Sequence, residues 1–164
     1  MRWFRHLLHA YGARRRFPPA LLDTIQQAIV ASEQDHLGEI CVVIESALRL
    51  TDIVRGLSAR ERANDVFAHS RIWDTANNNG VLIYVLLADR AIEIVADRGI
   101  ATRVDAGEWA DICARMQTYF ARGEYERGTV AGIDAVGALL TRHFPVHGHD
   151  NPDELPDRPL ISGR

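Results

Sequence analysis

The chain contains no lysine, since all 19 of its basic residues are arginine. A lysine Schiff base and a P-loop lysine are therefore excluded. The sequence also lacks a Gly-x-Ser-x-Gly nucleophile elbow, a Gly-x-Gly-x-x-Gly turn after a strand, and an Asp-x-Asp pair opening a loop. Cys41 has Ala47 six positions on, where a cysteine phosphatase loop needs arginine. If the protein hydrolyses phosphate esters, a metal-bound water is the nucleophile that remains.

Cysteines and long apolar runs are equally scarce. The two cysteines, Cys41 and Cys113, lie within apolar patterns, which favours buried, reduced thiols. The longest apolar run, from Val81 to Ala88, is far shorter than the roughly 20 residues of a membrane-spanning helix. The N-terminus lacks the apolar core and cleavage site of a signal peptide. With a net charge of −3, no overall field favours nucleic acid. We expect a cytoplasmic protein that does not bind nucleic acid.

The two ends of the chain differ in composition from the middle, which we interpret as an α/β domain over residues 18–144. Residues 1–17 carry five arginines and no acid. Such a basic amphipathic arm suits a protein partner or an anionic membrane surface, which would make the protein peripheral at the inner membrane face. The alternative is a packed terminal helix. Residues 145–164, rich in Pro, Asp and Gly, are predicted to be a flexible tail, in which His147 and His149 are weak metal ligands at best.

Apolar periodicity predicts the order helix, strand, helix, strand, strand, helix, helix. Ser58 and Glu61 form a capping box at the start of the second helix, and Gly123 ends the third. The two adjacent strands are joined so tightly that they must form a hairpin. The predicted elements span residues 18–34, 39–46, 58–67, 81–87, 91–96, 105–122 and 130–140.

Polar residues are predicted to meet at one edge of the sheet. A strand–helix–strand unit is parallel in most cases, so Glu39 and Asn78 lie at the same end of neighbouring strands. The hairpin returns Asp97 and Arg98 to that end, and the crossover helix delivers Asp74 there. His36, His69 and Asn77 are predicted to lie nearby.

This grouping of carboxylate and amide oxygens suits Ca²⁺ or Mg²⁺ rather than zinc. We predict a divalent cation site formed by Glu39, Asp74, Asn78 and Asp97. The candidate catalytic residues are Asp97 and Asp74, with Arg98 holding a phosphate oxygen of a phosphate ester substrate. The structural alternative is that the asparagines only form a turn and that Asp97 and Arg98 form a local ion pair.

The opposite edge of the sheet is the alternative location for a site. Ligands of open α/β sheets usually bind beyond the carboxyl ends of the parallel strands. That edge would contain Thr51, Asp52, Ser58 and Asp89, and the positive N-terminus of the helix at Ser58 favours an anion there.

The chain from Pro19 to Phe144 resembles the TPM domain family, also labelled TPM phosphatases. The resemblance implies a three-layer α/β/α sandwich with a small central mixed sheet. It also implies a divalent-metal site and an acid phosphatase activity in some members, whereas other members resemble assembly or maintenance factors for membrane complexes. The segments that carry it, in chain order, are His36-Leu37-Gly38-Glu39, Ile72-Trp73-Asp74, Asn78-Asn79-Gly80-Val81-Leu82, Asp97-Arg98-Gly99 and Phe120-Ala121-Arg122-Gly123-Glu124-Tyr125.

Two functional hypotheses follow from these observations. The first is a metal-dependent phosphatase in which Glu39, Asp74 and Asp97 hold the ion and a bound water is the nucleophile. The second is a non-catalytic interaction module that serves a membrane or a multi-protein complex through its N-terminal arm. A recognisable general base is absent from the sequence pattern, and this favours the second hypothesis slightly.

Overall fold

The middle layer of the protein is a four-stranded mixed sheet, in a computed structural model that describes residues 2–9, 12–146 and 154–162. The strands are β1 (Glu39–Glu45), β2 (Gly80–Leu86), β3 (Ala91–Ala96) and β4 (Leu160–Ser162). The helices are α1 (Arg2–His9), α2 (Gly12–Arg16), α3 (Pro19–Glu33), α4 (Leu50–Val54), α5 (Ala59–His69), α6 (Arg98–Ala101), α7 (Ala106–Ala121) and α8 (Tyr125–His143).

The strands lie in the order β3-β2-β1-β4. Strand β1 runs parallel to β2, with Glu39 opposite Gly80, and β3 runs antiparallel to β2, with Ala96 opposite Val81. The parallel unit and the hairpin predicted from the sequence are therefore confirmed. As a result, the starts of β1 and β2 and the end of β3 share one edge of the sheet.

Each face of the sheet is covered by helices, because β1 and β2 are apolar at both parities and buried along their whole length. On one face, Ile29 of α3, Met116 of α7 and Val136 of α8 belong to the larger core cluster with residues of all three long strands. On the other face, Ala63 of α5 packs with Leu82 and its neighbours in a second cluster. The result is the predicted three-layer α/β/α sandwich.

The local signals in the sequence act as expected at the helix ends. Ser58 Oγ accepts the N–H of Glu61, and the Glu61 carboxylate accepts the N–H of Ser58, which completes the capping box of α5. The Asp105 carboxylate accepts the N–H of Gly107 at the start of α7. Gly123, with φ of +78°, follows α7 in a conformation that favours glycine.

The predicted flexible tail needs correction. Residues 160–162 form β4, which pairs in parallel with the end of β1, so that Val43 lies opposite Leu160. Leu155 is buried against the second core cluster. Three residues give too short a pattern to signal a strand, and β4 forms because β1 otherwise has an unpaired edge. His147 and His149 lie outside the described residues.

The N-terminal arm is joined to the domain rather than detached from it. Ala13 and Phe17 are buried in the larger core cluster, and the Ala13 N–H donates to Ser46 Oγ at 3.1 Å. Among the described ranges, no helix is both long enough and apolar enough to cross a lipid bilayer.

Candidate functional site

The polar edge of the sheet is fastened by two backbone hydrogen bonds between its segments. The N–H of Asp97 donates to the carbonyl oxygen of Gly80, and the N–H of Gly99 donates to that of Asn78, both at 2.9 Å. The end of β3 and the residues before β2 are therefore held side by side. The structure brings together Asn78 and Asp97, two of the four predicted metal ligands.

The loop before β2 owes its shape to its short polar side chains. Asn78 has φ of 51°, a left-handed conformation that asparagine tolerates. Thr75 Oγ1 accepts the N–H of Asn79 at 3.1 Å, and the Thr75 carbonyl accepts that of Asn78. Gly80 has no room for a side chain, because a Cβ there would clash with the carbonyl oxygen of Ile72. The asparagines thus act as turn formers, as in the structural alternative, while also lining the edge.

Asp97 is the most informative residue at this edge. It is the N-cap of α6, and its Oδ1 accepts the N–H of Arg98 at 2.7 Å. Only 8% of the residue is exposed, and its second carboxylate oxygen, Oδ2, is buried with no hydrogen-bond partner among the described residues. A buried acceptor without a partner is unfavourable by about 1–3 kcal/mol, and by more when it is charged. Such an oxygen indicates a ligand that the polypeptide does not supply.

Asn79 presents a second oxygen of this kind, at the same edge on the neighbouring strand. Its Nδ2 donates to the carbonyl oxygen of Leu37 at 2.7 Å, which orients the amide. Its Oδ1 is buried and has no hydrogen-bond partner in the described part of the chain. The predicted metal ligands include Asn78 but not Asn79. The signal in the sequence was the run of three asparagines, which does not say which side chain turns inward.

Glu39 is placed at the predicted edge but lies under the C-terminal segment. It is 1% exposed, and its Oε2 accepts the N–H of Leu155 at 3.3 Å. Asp74 lies in the loop before β2, half-exposed, and forms an ion pair with Arg71 three residues earlier. Across residues 2–9, 12–146 and 154–162, no group of three or more His, Cys, Asp or Glu side chains is placed to hold a metal ion. Glu39, Asp74 and Asp97 thus do not form a three-carboxylate site in this structure.

The remaining polar candidates near the edge have local roles. His36 is buried, and its Nε2 lies 3.0 Å from Ser32 Oγ. Burial lowers the pKa of His36, so its ring is neutral at pH 7. His69 Nδ1 lies 2.7 Å from the carbonyl oxygen of Asp65 within α5. Arg98, by contrast, is exposed beside Asp97.

A pair of carboxyl groups lies beneath the C-terminal segment, where Glu33 hydrogen-bonds Asp157. Burial raises the pKa of Glu33 to about 8, and the nearby charges of Glu39 and Asp157 act in the same direction against the hydrogen bond from the Ile40 N–H. Two carboxyl groups in a hydrogen bond need a shared proton. Glu33 is therefore protonated over much of the physiological range.

The two thiols are poor nucleophiles. Burial raises the pKa of the Cys41 thiol to about 12 and that of Cys113 to about 11. Because the thiolate is the reactive form, both cysteines are chemically inert at pH 7. The interpretation of Cys41 and Cys113 as packed, reduced thiols agrees with their environment, as both are free.

The opposite edge of the sheet has its predicted polar residues engaged with the protein itself. Ser58 is bonded to Glu61 through both its N–H and its hydroxyl. Asp89 receives bonds from Arg2 and His6 of α1. The two residues of that edge best placed for an anion are thus already satisfied by intramolecular bonds.

The fold and this edge define the class of the protein, a three-layer α/β sandwich with amide and carboxylate groups at the starts of its parallel strands. Residues 15–139 match the TPM domain family, and the chain belongs to that family.

Two solved structures share the fold. The BA42 protein from the psychrophilic bacterium Bizionia argentinensis is 31% identical, over 87% of this chain and 93% of that chain, with a TM-score of 0.76. The N-terminal domain of a P. gingivalis protein is 22% identical, over 80% of this chain and 82% of that chain, with a TM-score of 0.61, and shows the fold alone. Comparison with curated proteins gives no significant match.

Proposed function

We propose that this TPM domain binds a divalent cation, Ca²⁺ or Mg²⁺, through Asp97 at the edge where β2 begins and β3 ends. The observation that carries the proposal is the buried Oδ2 of Asp97, which lacks a hydrogen-bond partner among the described residues. A cation beside this oxygen would offset the unfavourable burial of a carboxylate. Oxygen ligands are also the type that both ions prefer.

The donors around Asp97 fit a site that the protein fills only in part. The carbonyl oxygens of Asn77 and Asn78 crowd around Gly99, two residues from Asp97. Asp74 is tied only to Arg71, and an exposed ion pair of this kind is worth about 0–1 kcal/mol. Its carboxylate is therefore released from Arg71 at little cost. Both ions commonly complete their coordination with water, so a small protein donor set is sufficient.

We further propose a weak phosphate ester hydrolysis at this edge. Arg98 supports it, because an exposed guanidinium beside Asp97 is suited to bind two phosphate oxygens. A bound divalent ion supplies charge stabilisation for a phosphoryl group and lowers the pKa of water. The chain itself contributes the orientation of the ester through Arg98, and Asp97 and Asp74 are its candidate acid and base groups.

Thermal unfolding with and without each ion tests the binding proposal. Asp97→Asn is the informative variant, because asparagine keeps an oxygen to accept the Arg98 N–H while the charge is removed. We expect Ca²⁺ or Mg²⁺ to raise the Tm of the wild type and to raise that of Asp97→Asn much less. Asp111→Asn, at an exposed position on α7, is the matched control and should respond as the wild type does. Equal stabilisation of all three proteins, or of none, would contradict the proposal.

Hydrolysis of an aryl phosphate tests the catalytic part separately. The wild type should turn over slowly with Mg²⁺ or Ca²⁺ and lose activity in chelator, and Arg98→Gln should raise KM while leaving the metal-dependent Tm shift intact. Arg103→Gln, a nearby arginine bonded to the carbonyl of His143, is the control. Chelator-insensitive background in every variant would remove the enzyme hypothesis without deciding whether the ion binds.

A further inference from the structure

Helix α1 packs on the domain through its polar face. Arg2 and His6, one turn apart, both point to Asp89 in the turn between β2 and β3. Arg2 Nη2 lies 2.7 Å from Asp89 Oδ2, and His6 Nε2 lies 3.0 Å from Asp89 Oδ1. On its other side, His6 Nδ1 accepts the N–H of Leu48 at 3.0 Å. His6 is 3% exposed, so this polar contact is the inner side of the helix.

The apolar face of α1 is consequently turned outward. Trp3, Phe4 and Leu7 follow the i, i+1, i+4 spacing of one helical stripe and are 48%, 51% and 68% exposed. A surface helix of a globular protein ordinarily buries this stripe and exposes its charges. The reversed orientation of α1 leaves a large apolar side uncovered. Contiguous exposed apolar residues of this size mark an interaction site.

Helix α4 adds to this surface. It packs beside α1 and exposes Leu50 and Val54, which are one turn apart and 64% and 80% exposed. We use the name α1–α4 apolar surface for Trp3, Phe4, Leu7, Leu50 and Val54. These are five of the eight large hydrophobic residues that are exposed in the described part of the chain. Their concentration on two neighbouring helices is not expected for scattered surface residues.

The charge around this surface is positive. Residues 2–16 include five arginines and no acid, although the net charge of the chain is −3. Of these, Arg5, Arg14 and Arg15 are exposed, and Arg49 and Arg55 flank α4. Asp89 lies on the inner side, where the hydrogen bonds from Arg2 and His6 offset its burial and keep its pKa below the ordinary value. The outer side therefore combines exposed aromatic and aliphatic side chains with guanidinium groups.

We propose that the α1–α4 apolar surface docks on an anionic lipid bilayer. An amphipathic helix lying in the plane of a membrane inserts Trp, Phe and Leu at the headgroup boundary, while its basic residues contact lipid phosphates. Arginine suits this role because it pairs with phosphate and its stem lies along apolar surroundings. Two helices that act together satisfy the need for more than one weak anchor. This docking is independent of cation binding at Asp97, which lies at the other edge of the sheet.

Vesicle co-sedimentation of the full chain tests this proposal. The probes are large unilamellar vesicles of phosphatidylcholine alone, and of phosphatidylcholine with phosphatidylglycerol. We expect binding to the anionic vesicles, little binding to the neutral ones, and weakening by added salt. Phe4→Ser combined with Leu7→Ser should lower the partition coefficient at least about tenfold, because two inserted apolar side chains are lost. Arg14→Gln with Arg15→Gln should lower it on anionic vesicles only.

The matched control is Val30→Ser combined with Trp73→Ser, which removes two exposed hydrophobic residues elsewhere on the surface. It should bind vesicles as the wild type does. All substituted positions are exposed, so each variant is expected to keep the wild-type Tm, and that is checked first. Absence of binding to anionic vesicles, or equal binding by the two double serine variants, would overturn the proposal. Concentration-dependent dimerisation that needs Phe4 and Leu7, without vesicle binding, would overturn it in favour of a second copy of the chain.

Discussion

The N–H of Gly99 donates to the carbonyl oxygen of Asn78 across 2.9 Å and so ties the end of β3 to the loop before β2. The contact is close enough to exclude any side chain at position 99. A Cβ there would lie 2.6 Å from the carbonyl oxygen of Asn77, and closer still to that of Asn78. Because these neighbours are backbone atoms, they cannot move away cheaply. The geometry of the candidate cation site thus depends on a glycine.

Substitution of Gly99 by alanine should disturb both stability and cation binding. We expect the free energy of unfolding to fall by about 1–3 kcal/mol in urea denaturation, as the loop is pushed from β3. The Tm shift produced by Ca²⁺ or Mg²⁺ should also decrease. Gly107→Ala is the control, because its new methyl group meets only the Asp105 side chain, and alanine favours a helix. If Gly99→Ala is as stable as Gly107→Ala, the close contact described here is wrong.

The buried network on the α5 face makes a prediction about stability alone. Tyr84 donates its hydroxyl proton to Glu45 Oε2 at 2.6 Å, and Arg62 holds the same carboxylate through Nε at 2.9 Å. Burial and the negative charge of Glu45 raise the pKa of Tyr84 far above its usual range, so its hydroxyl stays protonated. Tyr84→Phe removes one hydrogen bond to a charged group, and unfolding should become easier by about 1.5–3 kcal/mol.

Tyr119→Phe is the control for that substitution. The ring of Tyr119 lies against Arg127 on α8, and its hydroxyl makes no hydrogen bond with the described residues. We expect a change in the free energy of unfolding of less than about 0.5 kcal/mol. Equal effects of the two substitutions would show that the Glu45 network does not stabilise the fold.

The docking of α1 should depend on pH through His6. Burial lowers the pKa of His6, and Asp89 opposes this effect while Arg2 and Arg5 add to it. The neutral ring accepts the Leu48 N–H, whereas a protonated Nδ1 would meet that donor with a second donor. The pKa is lower in the folded state, so the stability of the docked helix is fully present above about pH 6.5 and is lost as pH falls through the folded pKa.

Amide hydrogen exchange at Leu48 measures this release of α1. Below the folded pKa of His6, its protection factor should fall by about tenfold per pH unit. The Ser46 amide, which bonds to the carbonyl of Ser162, is the internal control and should keep its protection. In His6→Ala, the Leu48 amide should be unprotected at every pH. Constant protection of Leu48 in the wild type between pH 7 and 5 would contradict the role given to His6.

The opposite pH dependence is expected from Glu33. Its folded pKa of about 8 lies above that of an unfolded glutamate, so its stabilising contribution is complete below about pH 4.5 and is lost as pH rises through 8. The loss is at most about 1.4 kcal/mol per pH unit. Glu33→Gln should be more stable than the wild type at pH 8 and should show a flatter pH profile in urea denaturation. The exposed Glu126→Gln should retain the wild-type slope, and a steep slope in Glu33→Gln would show that other groups cause it.

Much of the polar edge was predictable because it follows from strand direction. Apolar runs at both parities predict buried strands, and the tight Ala88–Arg90 turn makes β2 and β3 antiparallel. Together with the parallel β1–β2 unit, this places Asn78 and Asp97 at one edge without further information. The TPM domain resemblance rested on these same segments.

The parts that sequence did not predict depend on contacts between distant segments. Glu39 lies under Leu155, which is 116 positions away, and β4 is too short to produce a pattern of its own. The inward orientation of Asn79 is decided by the carbonyl of Leu37 rather than by the asparagine run. The amphipathic pattern of α1 was visible, but the buried His6–Asp89 contact determines which face points outward.

Amide-resolved NMR of the uniformly ¹⁵N-labelled chain, titrated with Ca²⁺ and then with Mg²⁺, tests the proposed ion site most directly. The account predicts saturable chemical-shift changes concentrated in residues 74–80 and 97–99, and a loss of these changes in Asp97→Asn. Absence of saturable changes in the wild type would contradict it, as would changes confined to other parts of the chain or preserved in full after Asp97→Asn.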